Sequence, residues 1–165
     1  MILKSQNPKF ILRPKKKSDL QSWYKNQLDE DTARNFMSMP KNLEEAKKEF
    51  SEKSKNSESF IIDIDGECVG SIGIHDIVKG HKAIISYWIA NKCRGKGITT
   101  KAVKIVTEYF FKKYNLKRIS GNVRTFNKAS ARVLEKAGYK LEGILKKNKL
   151  KNGKFMDDIV YAKVK

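Results

Sequence analysis

The chain has 165 residues, and its 36 Lys and Arg against 18 Asp and Glu give a formal net charge of +18, which favours anionic partners over cationic ones. No run of about 18 apolar residues occurs, which excludes a membrane-spanning helix. Two cysteines, Cys68 and Cys93, supply neither a disulfide framework nor zinc-ligand spacing.

The length suits one domain spanning residues 1–165. The opening MILKSQNPKF is too short and too polar for a secretory signal. The expected compartment is therefore the cytoplasm, with both thiols reduced. In chain order, FILR (Phe10 to Arg13) reads as a short strand closed by Pro14. Ser18 reads as the N-cap of a helix through DLQSWYKNQ. The segment from Leu28 to Pro40 reads as irregular. Asn42 and Glu45 form a capping box that opens a polar helix to about Lys55.

Three strands are expected next: Ser59 to Asp65, Glu67 to Val78 and Lys82 to Ala90. The first two join through a hairpin turn at Asp65-Gly66. Ile98, Ala102, Ile105, Val106 and Tyr109 repeat at helical spacing, and that helix ends near Lys113. Arg118 to Val123 reads as a strand. Asn127 caps a helix from Lys128 to Ala137, which Gly138 terminates. Tyr139 to Leu150 and Phe155 to Val164 form a long hairpin turning at Asn152-Gly153. The fold class is α/β of the α+β type: a mixed, mostly antiparallel, twisted sheet of about seven strands flanked by about four helices.

The stretch WIANKCRGKGITTKAV (Trp88 to Val103) places a glycine-rich cationic loop between a strand and a helix. The first N–H groups of a helix lack internal partners and carry the positive end of the macrodipole. Gly95 and Gly97 permit positive φ and close approach, and Lys92, Arg94 and Lys96 add charge. Taken alone, the loop fits either an ordinary charged turn or a phosphate nest. The spacing matches neither a Walker loop nor a Rossmann fingerprint.

KCRGKG (Lys92 to Gly97) resembles the pyrophosphate-binding motif [Q/R]xxGx[G/A] of the GCN5-related N-acetyltransferases, with Lys92 in the Gln/Arg position. NKASARVLEKAGYKLEG (Asn127 to Gly143) and GKFMD (Gly153 to Asp157) resemble the RimJ/RimL-type branch. So does LRP at Leu12 to Pro14 followed by Asp19. The resemblance covers nearly the whole chain. It implies splayed fourth and fifth strands, acetyl-CoA as donor, coenzyme A as product, no metal, and an amine as acceptor. The backbone of Trp88, Ile89 and Ala90 would pair with the pantetheine arm. The main-chain N–H groups of Arg94, Gly95, Lys96, Gly97, Ile98 and Thr99 would cradle the pyrophosphate, and Asn127 would orient pantetheine or a water.

For protonating the leaving sulfur, many relatives place a Tyr where this chain has Leu134. The RimL-like alternative is Ser130. Asn127 is equally a plain helix cap, and Ser130 a first-turn surface serine. Tyr87 is read as core or channel lining, with a catalytic role as the alternative. Glu residues that often serve relatives as base are replaced by Ile84 and Lys101. His75, Asp76, His81 and Glu67 remain, each also a plain turn residue, and water alone can take the proton. Cys93 lies among cations, but the family gives that position no role.

The expected acceptor is a protein or peptide N-terminal α-amine whose carrier is acidic or nucleic-acid-bound, with weak nucleic-acid or ribosome association. The alternatives are a small-molecule amine, or a non-catalytic RNA- or ribosome-associated binding module. Monomer and homodimer both stay open.

Overall fold

The computed structural model describes residues 1–52 and 54–165. One sheet runs through the molecule in the order β1-β2-β3-β4-β5-β6-β8-β7. Its strands are β1 (Leu3–Gln6), β2 (Lys9–Arg13), β3 (Glu58–Ile64), β4 (Glu67–Val78), β5 (Lys82–Ile89), β6 (Arg118–Arg124), β7 (Lys140–Lys151) and β8 (Lys154–Val164). The helices are α1 (Leu20–Lys25), α2 (Glu30–Asn35), α3 (Leu43–Ser51), α4 (Ile98–Lys113) and α5 (Lys128–Lys136). β1 adds an eighth strand to the expected seven, pairing Leu3 with Leu12. α2 adds a fifth helix inside the segment expected to be irregular.

Strand alternation assigns the two faces of the sheet. On β3, Phe60 and Ile62 point into a large core beneath α4 and α5. Ile61, between them, points the other way, into a smaller cluster with Trp23 of α1 and with Ala46 and Phe50 of α3. α4 lays Ile98, Ala102, Val103, Val106 and Phe110 on the sheet, as its apolar spacing requires.

Three local findings differ from the expectations. Ser18 does not cap a helix: residues Lys17–Asp19 form a 3-10 turn, and the Asp19 carboxylate accepts the Lys16 N–H at 2.8 Å. Asp19 also receives a bidentate pair of 2.7 Å hydrogen bonds from Arg13, whose Nε donates to Asp63 at 2.6 Å. These buried charges lock β2 to β3 and to the start of α1. The helix opened by Asn42 ends at Ser51, short of Lys55, while its cap holds: Asn42 accepts the Glu45 N–H at 2.9 Å. α2 is capped by Asp29, whose carboxylate accepts the Thr32 N–H at 3.0 Å and the Thr32 hydroxyl at 2.6 Å.

The sheet opens in its middle. β5 and β6 run parallel and pair only from Lys82 to Ile84 against Arg118 to Ser120. Beyond Ile84 they diverge, while β6 stays paired with β8 as far as Arg124 opposite Asp158. The fourth and fifth of the expected strands are therefore the splayed pair. On the other side of β5, β4 remains attached, with a bulge against β3 where Ile62 opposes Gly70 but Asp63 opposes Cys68.

Candidate active site

The gap between β5 and β6 leaves an unpaired backbone edge on each strand, and the one that leads into the glycine loop belongs to β5. The Ala90 N–H donates to the Val69 carbonyl at 2.7 Å, and the Trp88 carbonyl faces Gly70 of β4. Peptide groups alternate along a strand. Those of Tyr87 and Ile89 therefore face the gap, where no strand of the described residues pairs with them. Of the expected pantetheine-pairing set, Ile89 presents its N–H and C=O to the opening; Trp88 turns both of its groups toward β4, and Ala90 gives its N–H to β4 and its C=O to the Cys93 N–H.

Next to this edge lies the glycine loop. The Cys93 and Arg94 N–H groups are consumed by the Ala90 and Asn91 carbonyls at 2.9 and 3.1 Å, and the first intrahelical bond of α4 runs from the Lys101 N–H to Gly97 O at 3.1 Å. Between them, the N–H groups of Gly95, Lys96, Gly97, Ile98, Thr99 and Thr100 have no acceptor among the described residues. Gly95 and Gly97 adopt φ of +75° and +73°. Both glycine conformations are left-handed, which a Cβ would strain. Together they turn the run of amides outward at the positive end of a 16-residue helix.

The Arg94 side chain has a different role from the one expected of the loop's cations. Its guanidinium reaches α2, donating to Asp29 at 2.9 Å, to the Thr32 hydroxyl at 2.8 Å and to Asp31 at 3.2 Å. Burial pushes the Asp29 carboxyl up, but the Thr32 and Arg94 hydrogen bonds outweigh it and hold the group below the ordinary carboxylate range. Lys92 is paired with Glu67 at 2.6 Å. Lys96 is exposed. Cys93 is buried in the core rather than presented among the cations.

Across the gap, the Tyr87 hydroxyl lies 2.9 Å from Ser130 Oγ and 3.2 Å from the Ser130 carbonyl. Burial raises the Tyr87 phenol well above its ordinary value, and the Ser130 hydrogen bond only partly offsets this. The phenol therefore stays protonated at neutral pH. Asn127 caps α5 as expected, accepting the Ser130 N–H at 3.0 Å. Its Nδ2 donates to Asn35 Oδ1 of α2 at 2.8 Å.

Two cavities meet at these residues. A cavity of about 450 Å³ extends to Ile89, Gly95 and Thr99. A second, of about 260 Å³, lies between the diverging strands and is lined by His75, Arg124, Lys149 and Asp158. Tyr87, Asn127, Ser130, Asn35 and Phe36 line both. The structure thus brings Tyr87, Asn127 and Ser130 together with Ile89 and the loop.

Among the base candidates, Glu67 is committed to Lys92 and Asn26. Those two contacts hold its carboxyl below the usual range. His81 sits in an exposed turn, and Asp76 binds His75 at 3.0 Å. Of the four, His75 is the one that lines either of these two cavities.

Asn35, Arg124 and Asp158 had no sequence-level assignment. The cap signal Asp-x-x-Thr at Asp29 to Thr32, with Glu30 and Asp31 in the first turn, marks α2 and could have placed Asn35 on a helix. Nothing local marks Arg124 or Asp158, which meet only across β6 and β8.

Residues 9–140 match the family model described as an acetyltransferase (GNAT) domain. A probable N-acetyltransferase of Bacillus subtilis, YjcK, is 37% identical over 120 residues, covering 69% of this chain and 66% of that protein. The [ribosomal protein uS5]-alanine N-acetyltransferase of Escherichia coli is 29% identical over 98 residues, covering 58% of this chain and 50% of that protein. The chain thus matches two thirds or less of the length of these curated relatives. The solved structure of Mycobacterium smegmatis RimJ in complex with CoA-disulfide superposes with a TM-score of 0.83 at 26% identity, covering 94% of this chain and 82% of that one. Backbone, loop and matched residues lead to one conclusion: the chain belongs to the GNAT acetyltransferase family.

Proposed function

We propose that this protein transfers an acetyl group from acetyl-CoA to a primary amine, and that the acceptor is the α-amine of a protein or peptide N-terminus. The observation that carries the reading is the run of free amides from Gly95 to Thr100 beside the unpaired edge of β5. Six N–H donors at a helix start suit a diphosphate, because bonds to an anion are shorter and stronger than neutral ones. Acetyl-CoA, when bound, supplies the reactive thioester.

The chain's own groups do the rest. The amides of Gly95 to Thr100 bind the diphosphate, with Lys96 adding charge from solvent. The Ile89 backbone aligns the pantetheine arm and directs an N–H toward the gap, where a developing negative oxygen is received. One such donor is worth roughly 3 kcal/mol. Ser130 Oγ and the Tyr87 phenol share a proton at the boundary of the two cavities and hold it ready for the leaving sulfur. Asn127 fixes Ser130 by capping α5. The smaller cavity receives the amine, with His75 or water taking its proton. The ribosomal-protein acceptor of one curated relative favours a protein terminus, and the charge of +18 favours an acidic or ribosome-bound carrier.

Calorimetry with acetyl-CoA, followed by mass spectrometry on a panel of N-terminal peptides and small amines, tests the reading. Binding of acetyl-CoA and acetylation of peptide α-amines are expected. No binding of the coenzyme, or turnover of polyamines above every peptide, rejects it.

A further inference from the structure

We propose that Arg124 forms a recognition subsite for an oxygen carried next to the acceptor amine, so that the smaller cavity selects an α-aminoacyl group over a bare alkylamine or a polyamine. This rests on the acetyl-transfer reading above and specifies its acceptor.

Arg124 ends β6, beyond the point where that strand has left β5. Its side chain is only 11% exposed. A guanidinium carries five N–H donors in a fixed plane. Nη1 donates to Asp158 Oδ1. Nη2 lies 3.3 Å from the Met37 sulfur, a weak acceptor. The Nε–H is buried with no acceptor among the described residues. Buried donors seldom stay unpaired, and each exception calls for an explanation.

The neighbours decide what would complete it. Asp158, fully buried, spends one oxygen on Arg124 and accepts the Asn148 amide on the other at 2.7 Å. Its charge is therefore already used. His75 turns its Nδ1 to Asp76, and Lys149 adds a further cation to the cavity wall. The cavity wall thus combines one neutralised ion pair and one surplus cation, and Arg124 brings to it an Nη2 with only a sulfur acceptor and, behind that, an unpaired Nε–H. A carbonyl or carboxylate oxygen fits that set, whereas a second ammonium would meet like charge. Tyr87 and Ser130 line the same cavity as Arg124 and sit where it meets the larger one. An amine held there places an oxygen of its own aminoacyl group on the side that Arg124 lines. The N-terminal residue of a peptide and a free amino acid share this chemistry.

The test compares wild type with Arg124→Lys, which keeps the charge facing Asp158 but removes the Nε–H and the planar fork. Acceptors are an Ala-initiated tripeptide, L-alaninamide, L-alanine, ethylamine and spermidine, each with saturating acetyl-CoA. Wild type is expected to prefer alaninamide to ethylamine by about tenfold or more in kcat/KM, the scale of a lost hydrogen bond to a charged group. Arg124→Lys is expected to bring that ratio near one, through acceptor KM, with acetyl-CoA affinity unchanged. Preference for the tripeptide assigns the site to a protein terminus, and preference for alanine assigns it to a free amino acid. Equal use of ethylamine or spermidine by wild type, or an unchanged ratio in Arg124→Lys, overturns the proposal. The double variant Arg124→Met/Asp158→Asn removes both charges together and must show the same lost preference if the lysine variant folds poorly. If acetyl-CoA binds but no amine turns over, the transfer reading fails. Arg124 is then judged by whether millimolar alaninamide raises the Tm of wild type and not of Arg124→Lys; no rise in wild type rejects it.

Discussion

The Tyr87 hydroxyl stands 2.9 Å from the Ser130 hydroxyl, joining β5 to the first turn of α5 across the opening in the sheet. Neither residue is near the other in sequence, and the pair exists only because β6 turns aside. If the two hydroxyls act as one proton source, their effects cannot add. Ser130→Ala should lower kcat by about 10²-fold. Tyr87→Phe should cost less, and the double variant little more than Ser130→Ala alone. Acetyl-CoA affinity should hold in all three. Steady-state kinetics on the set checks this, and simple additivity would show that the hydroxyls act separately.

Gly97 precedes α4 at φ +73°, with open space where a Cβ would go. Substitution there tests conformation rather than crowding. Gly97→Ala should cost about 1 kcal/mol of stability, because alanine resists the left-handed region. It should weaken acetyl-CoA binding several-fold by turning amides away from the diphosphate. Thermal melting and calorimetry measure the two effects independently.

Arg94 ties the glycine loop to the cap of α2 through Asp29, Asp31 and Thr32. Other contacts also hold α2: Asn35 to Asn127, and Lys151 to the carbonyls of Ala33 and Phe36. Arg94→Met should therefore raise amide exchange over residues 29–36 without unfolding the molecule. It should weaken acetyl-CoA binding less than Gly97→Ala does. The reverse order would make Arg94 a direct phosphate ligand.

Asp19 provides a pH dependence with a defined sign. Burial pushes its carboxyl up, but the Arg13 fork and the Lys16 N–H outweigh that and hold it below the ordinary carboxylate value. A group whose folded pKa is depressed binds its proton more readily when unfolded. Its contribution is therefore complete above about pH 4, the unfolded value. It is lost as pH falls through the lower folded value. Tm should drop across that acid range, and Asp19→Asn should lower Tm at pH 7 while flattening the acid decline.

Gly70 of β4 has no room for a side chain: a Cβ would come within 2.5 Å of the Trp88 carbonyl. That carbonyl belongs to β5, which is paired with β4 and cannot easily give way. Gly70→Ala should cost about 1–3 kcal/mol in chemical denaturation and disturb the edge that carries Ile89.

Much of this molecule is legible along the chain. Apolar runs bounded by turn residues mark seven of the strands, and a helical repeat marks the long helix α4, because both are local features of the chain. Asp65-Gly66 and Asn152-Gly153 mark hairpin turns, with positive φ at all four residues. Asn42 and Asn127 mark helix starts through a hydrogen bond that spans three residues. The glycine loop is legible for the same reason: its free amides depend on Gly95, Gly97 and the helix start within a few residues of one another.

What the sequence leaves open depends on distant partners. α2 lacks an apolar repeat and is held by Arg94, Asn127 and Lys151 from three other elements. β1 is a four-residue edge strand with no pattern of its own. That Trp88 turns its peptide groups to β4 while Ile89 faces the gap follows from the register of β5 against β4. That Arg124 lies beside Asp158, with one donor left over, follows from the register of β6 against β8. Sequence determines which groups the chain carries and the local turns that expose them. Only the tertiary fold decides which of those groups meet, because pairing and divergence of strands are set by contacts between residues far apart along the chain.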